Sequence, residues 1–369
     1  MRVLHIINHL GSGGAEKLIE ESLPRMRNKT GIEVETLLLN DEENVFGKNL
    51  KENGIKVTVV PLKKIYSPLN IFFIRKHIIK GNYDIVHVHL FPSQLWAALA
   101  VKLILKNKPK LITTEHNTHN RRREKKYYRF FDKVMYLSFD KIISISEKTQ
   151  ENLTTWLGIK SHKTSKFQVI ENGINTKKFI YANPYKKTEI SKNFTENTKI
   201  ISMVGRFTAQ KDQKTLIKAM TKLPENMHLL LVGEGQLQKR VQEFSNEMGL
   251  ENRVHFLGFR SDIEKILKSS DIVVLSSHWE GFGLAAVEGM AAGKPVIASN
   301  VSGLRDVVSG GGVLFTRGDY IGLAKEISVL IQDQDKYYKV ADSCQDKAKN
   351  YDIDRMVDKY LEVYRYIKP

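Results

Sequence analysis

The chain has 369 residues, of which 41% are hydrophobic and 27% are charged, and its net charge at pH 7 is +17. This length exceeds what one ordinary hydrophobic core organises, so we expect two domains, and the composition excludes a disordered chain. The longest apolar runs are too short for a membrane-spanning helix. The apolar N-terminus indicates a first buried strand and not a signal peptide. The single cysteine, Cys344, cannot form an intrachain disulfide, as expected for a reducing, cytoplasmic compartment.

The positive charge is concentrated in the first half of the chain. Residues 1–180 contain 31 Lys and Arg against 17 Asp and Glu, whereas residues 181–369 contain 27 against 24. A basic half suggests an anionic partner such as nucleic acid, a lipid surface or phosphates. Solubility alone also explains such a balance, so the charge by itself leaves these alternatives open.

Short apolar segments recur along the chain, and each is followed by a helical pattern. The predicted strands are 3–8, 33–39, 56–60, 85–89, 111–115 and 141–146, then 200–204, 228–232, 254–257, 272–276 and 295–298. Strands that are apolar throughout and alternate with helices are typical of parallel sheets covered on both faces. We therefore predict the α/β class with two doubly wound, Rossmann-like domains. Their predicted bounds are 1–180 and 199–350, with a polar linker at 181–198.

Two glycine-containing turns follow predicted strands. They are Gly11-Ser12-Gly13-Gly14 after the first strand and Gly233-Glu234-Gly235 after the strand at 228–232. Glycine lets backbone amides approach a phosphate at a helix N-terminus. Each turn lacks the third glycine of the dinucleotide pattern, so both are weak indications of a nicotinamide cofactor. Tight turns without a ligand are the alternative.

Two cations follow the strand at 200–204. Arg206 stands just past Gly205, and Lys211 lies in the next loop. Two fixed cations beyond a strand end can hold a diphosphate, because each charge-assisted hydrogen bond contributes about 1.5–3 kcal/mol. A pair of solvated surface side chains is the alternative.

The segment 278–288 carries the strongest local signal. It follows the strand at 272–276, and residues 284–292 are predicted to be helical. The turn from Gly281 to Gly283 would expose helix N-terminal amides, which suit phosphate and sugar hydroxyls. Glu280 before the helix and Glu288 within it are bidentate acceptors suited to pairs of hydroxyl groups. Two surface glutamates beside a turn are the alternative.

Three histidines stand near predicted strand ends in the first half. His87 and His89 alternate along one strand and so share a face, and His116 follows the strand at 111–115. Two histidines with no third ligand nearby make a poor metal site. Structural hydrogen bonding is the alternative to a catalytic role, and the strand-end position of His116 favours a functional one.

Several of these motifs together resemble the retaining GT-B glycosyltransferases of family 4. They are Gly13-Gly14-Ala15-Glu16, Arg206 with Lys211, and Glu280 with Glu288, supported by the motifs at 143–146, 169–174, 231–235 and 293–297. Their order along nearly the whole chain is more specific than any one motif. The resemblance implies two Rossmann-like domains facing across a cleft, an N-terminal one for the acceptor and a C-terminal one for the donor. The final helix, within 351–369, would cross back to the N-terminal domain.

The resemblance also implies residue roles. His116, from the acceptor side, and Glu280 are the residues expected at the transferred sugar and are the candidate catalytic residues. Arg206 and Lys211 would neutralise the donor diphosphate, and Glu288 would hold the ribose. The full set of expected donor contacts is Gly14, Arg206, Lys211, Gly235, Phe259, Arg260, Phe282, Gly283, Leu284 and Glu288.

The implied chemistry is retention of anomeric configuration by a front-face displacement. The departing diphosphate would take the acceptor proton, so the protein contributes positioning and charge stabilisation. No metal and no other cofactor is expected. In one departure from the family pattern, Ser302-Gly303-Leu304 stands where members often have two glycines and a glutamate. The local donor contact therefore cannot be carried over there.

A basic and aromatic segment begins five residues after His116. If residues 121–134 are helical, Tyr127, Phe131 and Val134 share one face, while Arg121, Arg122 and Arg123 can reach phosphates. With His89, these arginines form the expected acceptor or membrane side. The pattern favours a lipid-diphosphate acceptor and a peripheral position on an anionic membrane surface, at the inner face of the cell membrane. The alternative is that the apolar face packs against the first sheet and the charges are solvated.

The sequence thus predicts a hexosyltransferase-type enzyme of bacterial surface polysaccharide synthesis. Its expected donor is a nucleotide-diphosphate sugar, with a UDP-sugar favoured, and its expected acceptor is a glycan, favoured to be lipid-linked. One rival is a nucleotide-sugar epimerase of similar fold, which would need no acceptor. A second rival is a non-enzymatic basic binding protein. No nucleic-acid partner is expected, because no recognised nucleic-acid-binding motif is present.

Overall fold

The computed structural model describes residues 1–29, 31–42, 44–118, 121–159 and 165–368, without the side chain of Arg121. The chain divides into two compact units. Unit 1 comprises Met1–Gly173 and Ile353–Pro369, and unit 2 comprises Ile174–Asp352. Each unit contains one parallel sheet with helices, so the predicted α/β class with two Rossmann-like domains is confirmed.

The strands are short and are numbered here in chain order. Unit 1 contains β1 (Arg2–Ile7), β2 (Glu33–Leu38), β3 (Lys56–Val59), β4 (Ile85–His89), β5 (Lys110–Glu115), β6 (Lys141–Ser144) and β7 (Phe167–Val169). Unit 2 contains β8 (Lys199–Val204), β9 (Met227–Val232), β10 (Val254–Phe256), β11 (Ile272–Leu275), β12 (Val296–Ser299) and β13 (Val313–Phe315). The sheet orders are β3-β2-β1-β4-β5-β6-β7 and β10-β9-β8-β11-β12-β13. In such open sheets ligands bind beyond the carboxyl ends of the strands, where the strand order reverses.

The helices connect the strands. Those of the first part of unit 1 are α1 (Gly14–Arg27), α2 (Gly47–Glu52), α3 (Asn70–Gly81), α4 (Ser93–Lys102), α5 (Tyr128–Leu137) and α6 (Glu147–Leu157), with a 3₁₀ helix at Arg121–Glu124. Those of unit 2 are α7 (Thr176–Ile180), α8 (Lys187–Ile190), α9 (Gln213–Met220), α10 (Gln238–Glu247), α11 (Ile263–Ser269), α12 (Leu284–Ala291), α13 (Leu304–Val308), α14 (Tyr320–Gln332) and α15 (Gln334–Ala348). The last helix is α16 (Ile353–Ile367), which belongs to unit 1.

Both cores form around strands that are buried on the two faces. In unit 1, Leu4 and Ile6 of β1 pack in one cluster with Val86 and Val88 of β4. The alternate residues of β1, such as Val3, are buried as well, which explains why the strand sequence is apolar throughout. Unit 2 repeats this arrangement in a cluster that includes Ile201, Met203, Leu229 and Leu231.

Two strands and the linker differ from the sequence prediction. β7 and β13, edge strands of three residues each, were not predicted, although the equally short edge strand β10 was. The predicted linker 181–198 is not a separate segment but part of unit 2. Phe194 is buried there beside Ile200 and Leu230, and the Tyr185 amide donates to Ser269 Oγ at 2.7 Å. Because the segment is polar in composition, its sequence does not show these buried contacts of Phe194 and Tyr185.

Among the described residues, every helix is too short or too polar to cross a lipid bilayer.

Candidate active site

The candidate donor residues of unit 2 follow the carboxyl ends of its strands. Arg206 comes after β8, Gly235 after β9, Phe259 and Arg260 after β10, and Glu280 after β11. Because all these strands are parallel neighbours, their carboxyl ends lie along one edge of the sheet. The parallel topology therefore gathers residues that are far apart in sequence.

Lys211 and Glu280 form the centre of this edge. Lys211 Nζ lies 2.5 Å from Glu280 Oε1, and the two side chains are 17% and 8% exposed. The Glu280 carboxylate also accepts from Ser277 Oγ at 2.8 Å and from Gln210 Nε2 at 3.2 Å. A buried carboxylate with three donors, one of them a cation, is held in a fixed place, as a binding group requires.

Sequence reasoning missed the residues that position this pair. Gln210 Nε2 also donates to the Trp279 carbonyl at 2.9 Å, and the Gln210 carbonyl accepts from the His278 amide at 2.8 Å. The loop after β8 is thereby bound to the loop after β11. One indication of this role is present in the sequence, since Gln210 stands directly before Lys211, a predicted donor contact.

Glycines let the loops of this edge approach one another closely. Gly233 has φ +132°, and a Cβ there would lie 2.4 Å from the Gly205 carbonyl oxygen. A Cβ on Gly235 would lie 2.5 Å from the Phe207 carbonyl oxygen. The Lys211 side chain runs past Gly205, whose added Cβ would meet it at 3.2 Å. Larger residues at these glycines would push the loops apart. Glycine therefore allows the backbones of neighbouring loops to lie close together.

The N-terminus of α12 lies in the same region, and its predicted helical position is confirmed. Gly283 is its N-cap at φ +98°, Leu284 is its first residue, and Phe282 is buried with its ring edge-on to Tyr351. Glu288 lies one turn further on and is partly exposed. The helix start leaves backbone amides that can donate to an anionic or hydroxyl ligand.

The segment 302–304, which departs from the family pattern, borders the same site. Gly303 has φ +87°, and a Cβ there would lie 2.5 Å from the Glu280 carbonyl oxygen. The Leu304 side chain faces Gly283. A glycine is therefore required at position 303 by contact with the Glu280 loop.

Phe259 and Arg260 are held by the side chains of Glu234, in the loop after β9, and of Asp262, in their own loop. The Phe259 amide donates to Glu234 Oε1 at 3.4 Å, and Phe259 is 46% exposed. Arg260 forms a two-point pair with Asp262 at 2.8 and 2.6 Å, and Tyr185 donates to Asp262 at 2.5 Å. Hydrogen bonds from Arg260 hold the pKa of Asp262 far below its usual range. The carboxylate therefore stays ionised and fixes the loop.

Gly14, the predicted phosphate contact of unit 1, is the first residue of α1 and is exposed. Glu16 in the first turn is buried and lies 3.8 Å from His9 Nδ1. Its carboxyl group occupies the space that a Cβ on Gly13 would need. Gly13 thus allows the Glu16 side chain to close over the start of the helix.

The histidines of unit 1 form a larger group than the sequence predicted. His5 is the partner of His87 in the β1–β4 register, and His5 Nδ1 lies 3.1 Å from His89 Nε2. The expectation that His87 and His89 have no third histidine nearby was therefore wrong. Ligand atoms of His5, His87 and His89 lie within 4.8 Å of one another, and all three side chains are buried. His89 Nδ1 lies 3.0 Å from His116 Nε2, so the predicted residues His89 and His116 are in contact.

Burial keeps these imidazoles neutral. Desolvation lowers the pKa of His5 to about 3 and that of His116 to about 4, and it holds the pKa values of His87 and His89 well below the ordinary value. The group therefore acts through neutral hydrogen bonds at physiological pH.

Arg122 and Arg123, which were predicted to reach phosphates, both lie in ion pairs within unit 1. Arg122 pairs with Asp132 at 3.2 Å and its guanidinium stacks on the Phe91 ring at 3.5 Å. Arg123 pairs with buried Glu115 at 3.1 Å, and its side chain is only 10% exposed. Burying a guanidinium requires a carboxylate partner, which these two positions have. The phosphate contacts of Arg122 and Arg123 stay a prediction, and the side chain of Arg121 lies outside the described part of the chain.

The apolar residues of the same segment are exposed. Tyr127, Phe131 and Val134 share a face of the α5 region, and they are 59%, 64% and 47% exposed. Packing of this face against the sheet, the alternative considered above, does not occur. Instead, Asp132, Met135 and Tyr136 form the buried side of α5.

Both halves of the chain match known families. The family model "Glycosyltransferase Family 4" matches residues 12–178, and "Glycosyl transferases group 1" matches residues 185–351. The UDP-Gal:alpha-D-GlcNAc-diphosphoundecaprenol alpha-1,3-galactosyltransferase of Escherichia coli is 28% identical over 299 residues, covering 77% of this chain and 76% of its own. The N,N'-diacetylbacillosaminyl-diphospho-undecaprenol alpha-1,3-N-acetylgalactosaminyltransferase of Campylobacter jejuni is 30% identical over 244 residues, covering 64% of this chain and 63% of its own.

A similar solved structure supports the fold over the full length. The crystal structure of Anabaena Alr3699/HepE in complex with UDP and glucose superposes with a TM-score of 0.85 at 24% identity, covering 100% of both chains. The resemblance inferred from the motifs is thus confirmed for fold and enzyme class. The chain is a glycosyltransferase with the GT-B fold and belongs to the group 1, family 4 glycosyltransferases.

Proposed function

We propose that this enzyme transfers a sugar from a UDP-sugar to a lipid-diphosphate-linked glycan in bacterial surface polysaccharide synthesis, with retention of anomeric configuration and without a metal ion. The observation that carries this proposal is the Lys211–Glu280 pair at the carboxyl edge of the unit 2 sheet. It joins a cation suited to a diphosphate with a carboxylate suited to sugar hydroxyls.

The donor is proposed from chemistry and from the relatives. Lys211 and Arg206 follow one strand and can neutralise a diphosphate, and Arg206 is exposed and so available to a ligand. The relative in Escherichia coli is named for UDP-Gal, and Alr3699/HepE was crystallised with UDP and glucose. These names support a UDP-sugar for this chain.

The mechanism follows from the charges of the site. As the bond to the diphosphate lengthens, negative charge grows on the departing oxygen, and Lys211 and Arg206 stabilise it. The Glu280 carboxylate accepts hydrogen bonds from sugar hydroxyls and keeps the ring oriented. The acceptor hydroxyl oxygen then forms its bond to the anomeric carbon on the face that the diphosphate leaves, which retains the configuration, and the departing diphosphate oxygen takes the hydroxyl proton. The protein then needs no nucleophile, because positioning and charge stabilisation lower the barrier.

The lipid-linked acceptor is supported by the relatives and by one face of α5. The relatives from Escherichia coli and Campylobacter jejuni are named for diphosphoundecaprenol-linked substrates. The α5 surface, defined here as Tyr127, Phe130, Phe131, Val134 and Leu137, is exposed at every position. Exposed Lys126, Arg129 and Lys133 flank it. An exposed apolar stripe beside cations suits an anionic membrane, where a peripheral enzyme meets a lipid-linked acceptor.

A donor and acceptor screen tests the transferase proposal. Purified enzyme is incubated with UDP-, GDP- or ADP-sugars, with and without a polyprenyl-diphosphate glycan, and nucleotide release is measured. We expect release with a UDP-sugar only when the acceptor is present, and an α-linked product from an α-linked donor by NMR. A β-linked product would contradict retention. Conversion of the donor sugar without acceptor would instead identify an epimerase.

A further inference from the structure

A continuous chain of hydrogen-bonding side chains crosses the interior of unit 1. It begins on α16, passes through β5 and β4 and returns to α16. From there it continues through β1 and β4 to His116. Its members in order are Tyr360, Thr114, His87, Tyr364, His5, His89 and His116. All but His116 are at most 5% exposed, so water does not compete for these contacts.

Each link has hydrogen-bond length. On the α16 side, Tyr360 Oη to Thr114 Oγ1 is 3.3 Å, Thr114 Oγ1 to His87 Nε2 is 2.8 Å, and His87 Nδ1 to Tyr364 Oη is 2.5 Å. Towards the strand end, Tyr364 Oη to His5 Nε2 is 3.4 Å. His5 Nδ1 to His89 Nε2 is 3.1 Å, and His89 Nδ1 to His116 Nε2 is 3.0 Å. Both ring nitrogens of His5, His87 and His89 are therefore in use.

Neutral imidazoles restrict the proton arrangements along this chain. Each neutral ring has one N–H donor and one lone-pair acceptor, and each hydroxyl has one hydrogen to donate and two lone pairs to accept. If Thr114 or Tyr364 accepted from both neighbours, its own buried hydrogen would have no acceptor in the chain, which is costly. When each of these hydroxyls donates to one neighbour and accepts from the other, every link points in the same direction, and two arrangements remain. In the first arrangement Tyr360 donates and the direction runs to His116, with the hydrogen of every histidine on Nδ1. In the second, His116 donates and every hydrogen is on Nε2.

The buried hydroxyl of Tyr360, at the start of the chain of hydrogen bonds, favours the first arrangement. Among the described residues, the hydrogen-bond partner of the Tyr360 hydroxyl is Thr114 Oγ1. In the second arrangement Thr114 would donate to Tyr360, and the buried Tyr360 hydrogen would be left without that acceptor. A buried donor without an acceptor is more costly than a hydroxyl oxygen with a spare lone pair.

We propose that this chain fixes His116 as the neutral tautomer with its hydrogen on Nδ1, so that His116 acts as a hydrogen-bond donor and not as a general base. In this role Tyr364, His5 and His89 are positioning residues that act through His116. The role of His116 at the transferred sugar rests on the proposed function, whereas its tautomer does not. The lowered pKa values of all four histidines agree with uncharged rings.

The same hydrogen bonds argue against a metal ion bound by His5, His87 and His89. A metal bound by His5, His87 and His89 would take lone pairs that now accept from Tyr364, Thr114 and His5. Three buried hydrogens would then lose their acceptors. Hydrogen bonding therefore explains the group without an ion.

Long-range ¹H–¹⁵N NMR of the ¹⁵N-histidine-labelled full-length enzyme, without substrates, tests the tautomers directly. We expect His5, His87, His89 and His116 to carry the hydrogen on Nδ1 at pH 7.5. Hydrogens on Nε2, or a charged ring among the four, would overturn the proposal. So would a stoichiometric divalent metal in the purified protein whose removal by EDTA shifts these resonances.

A hydroxyl deletion in the middle of the chain tests its continuity. Tyr364→Phe removes the link between His87 and His5, and we expect His116 to become a mixture of both tautomers. Tyr366→Phe is the matched control, since Tyr366 lies on the same helix and is 77% exposed. An unchanged His116 tautomer in folded Tyr364→Phe would overturn the role of the chain.

Two substitutions of His116 test its donor role in transfer. Asparagine places an amide N–H close to the position of Nδ1, whereas glutamine places one close to Nε2. We expect kcat of His116→Asn to exceed that of His116→Gln by about tenfold, within the effect of one preorganised donor. A higher kcat for glutamine would contradict the donor role. If neither variant nor the wild type transfers sugar, the proposed function fails while the tautomer result stands.

Discussion

Lys211 Nζ lies 2.5 Å from Glu280 Oε1, although the two residues are 69 positions apart and follow different strands. The motif resemblance assigns Lys211 to the diphosphate and Glu280 to the sugar. Under these assignments, their contact would bring the diphosphate and the sugar of the donor to one point of unit 2. It also means that removal of either side chain affects the other, because a buried carboxylate would lose its cation.

Removal of Lys211 or Glu288 is expected to abolish most of the transfer activity. Loss of one charged contact to the donor costs about 2–4 kcal/mol of transition-state stabilisation, so kcat/KM of Lys211→Ala or Glu288→Ala should fall roughly 30- to 1000-fold. Circular dichroism checks that each variant is folded. Lys222→Ala, an exposed lysine of the same unit, is the control and should retain wild-type kcat/KM. Wild-type turnover by folded Lys211→Ala at subsaturating donor would refute the donor assignment.

Transfer is expected to continue in EDTA. In the proposed function Arg206 and Lys211 neutralise the negative charge of the diphosphate. A divalent ion is then not needed to neutralise it. The initial rate should change less than about twofold after dialysis against EDTA, a small change on the free-energy scale. Loss of activity that manganese or magnesium restores would show that a metal takes part.

The α5 surface is expected to bind anionic vesicles. Phe130 and Phe131 are 69% and 64% exposed, so Phe130→Ser with Phe131→Ser removes apolar area without opening the core. In sedimentation with anionic vesicles at low salt, the affinity should fall about tenfold or more, given the area lost. Ile321→Ser with Tyr338→Ser removes exposed apolar side chains from unit 2 and serves as the control. Equal sedimentation of wild type and both variants would exclude this surface as the membrane contact.

Arg123 is expected to be structural. Its guanidinium pairs with Glu115, whose side chain is 4% exposed, and Tyr136 donates to the same carboxylate. Arg123→Ala leaves a buried carboxylate without its cation, which should lower the free energy of unfolding by about 3–5 kcal/mol. Exposed Lys126→Ala should change it by less than about 0.5 kcal/mol. Urea unfolding compares the two variants, and equal midpoints would contradict the ion-pair interpretation.

Unit 1 is expected to lose stability below pH 6.5. Burial lowers the folded-state pKa of His5 to about 3 and holds those of His87 and His89 well below the ordinary value. Between those values and pH 6.5 the unfolded chain binds protons that the folded chain does not. Stability is therefore complete above pH 6.5 and declines as the pH falls. At pH 5.5 each of these histidines should lower the free energy of unfolding of unit 1 by about 1.4 kcal/mol relative to pH 7.5.

Tryptophan fluorescence can follow this loss in one unit at a time. Trp96 and Trp156 belong to unit 1, and Trp279, the third tryptophan of the chain, belongs to unit 2. Urea unfolding of Trp279→Phe therefore reports unit 1, and Trp96→Phe with Trp156→Phe reports unit 2. An unfolding free energy of unit 1 that is the same at pH 7.5 and pH 5.5 would contradict neutral burial of these histidines.

The sequence by itself determined the fold class, most strands and the donor-side motifs. Apolar strands and the turn before α12 are local patterns, so they can be read from neighbouring residues. The segment 278–288 was predicted as a strand end followed by a helix, and the structure has α12 at Leu284–Ala291. β7 and β13 were not predicted; three residues carry little pattern, although the equally short β10 was predicted.

Only the tertiary structure decided which polar side chains meet. His5 joins His87 because β1 and β4 are neighbours in the sheet, a pairing of strands 80 residues apart that no local pattern reveals. Tyr360 reaches Thr114 and Tyr364 reaches His87 because α16 packs in unit 1. Arg122 and Arg123 look like solvated cations in sequence, yet Asp132 and Glu115 bury them in ion pairs. Such partners are brought together by chain folding over long sequence distances, and burial then fixes their charge and their protons.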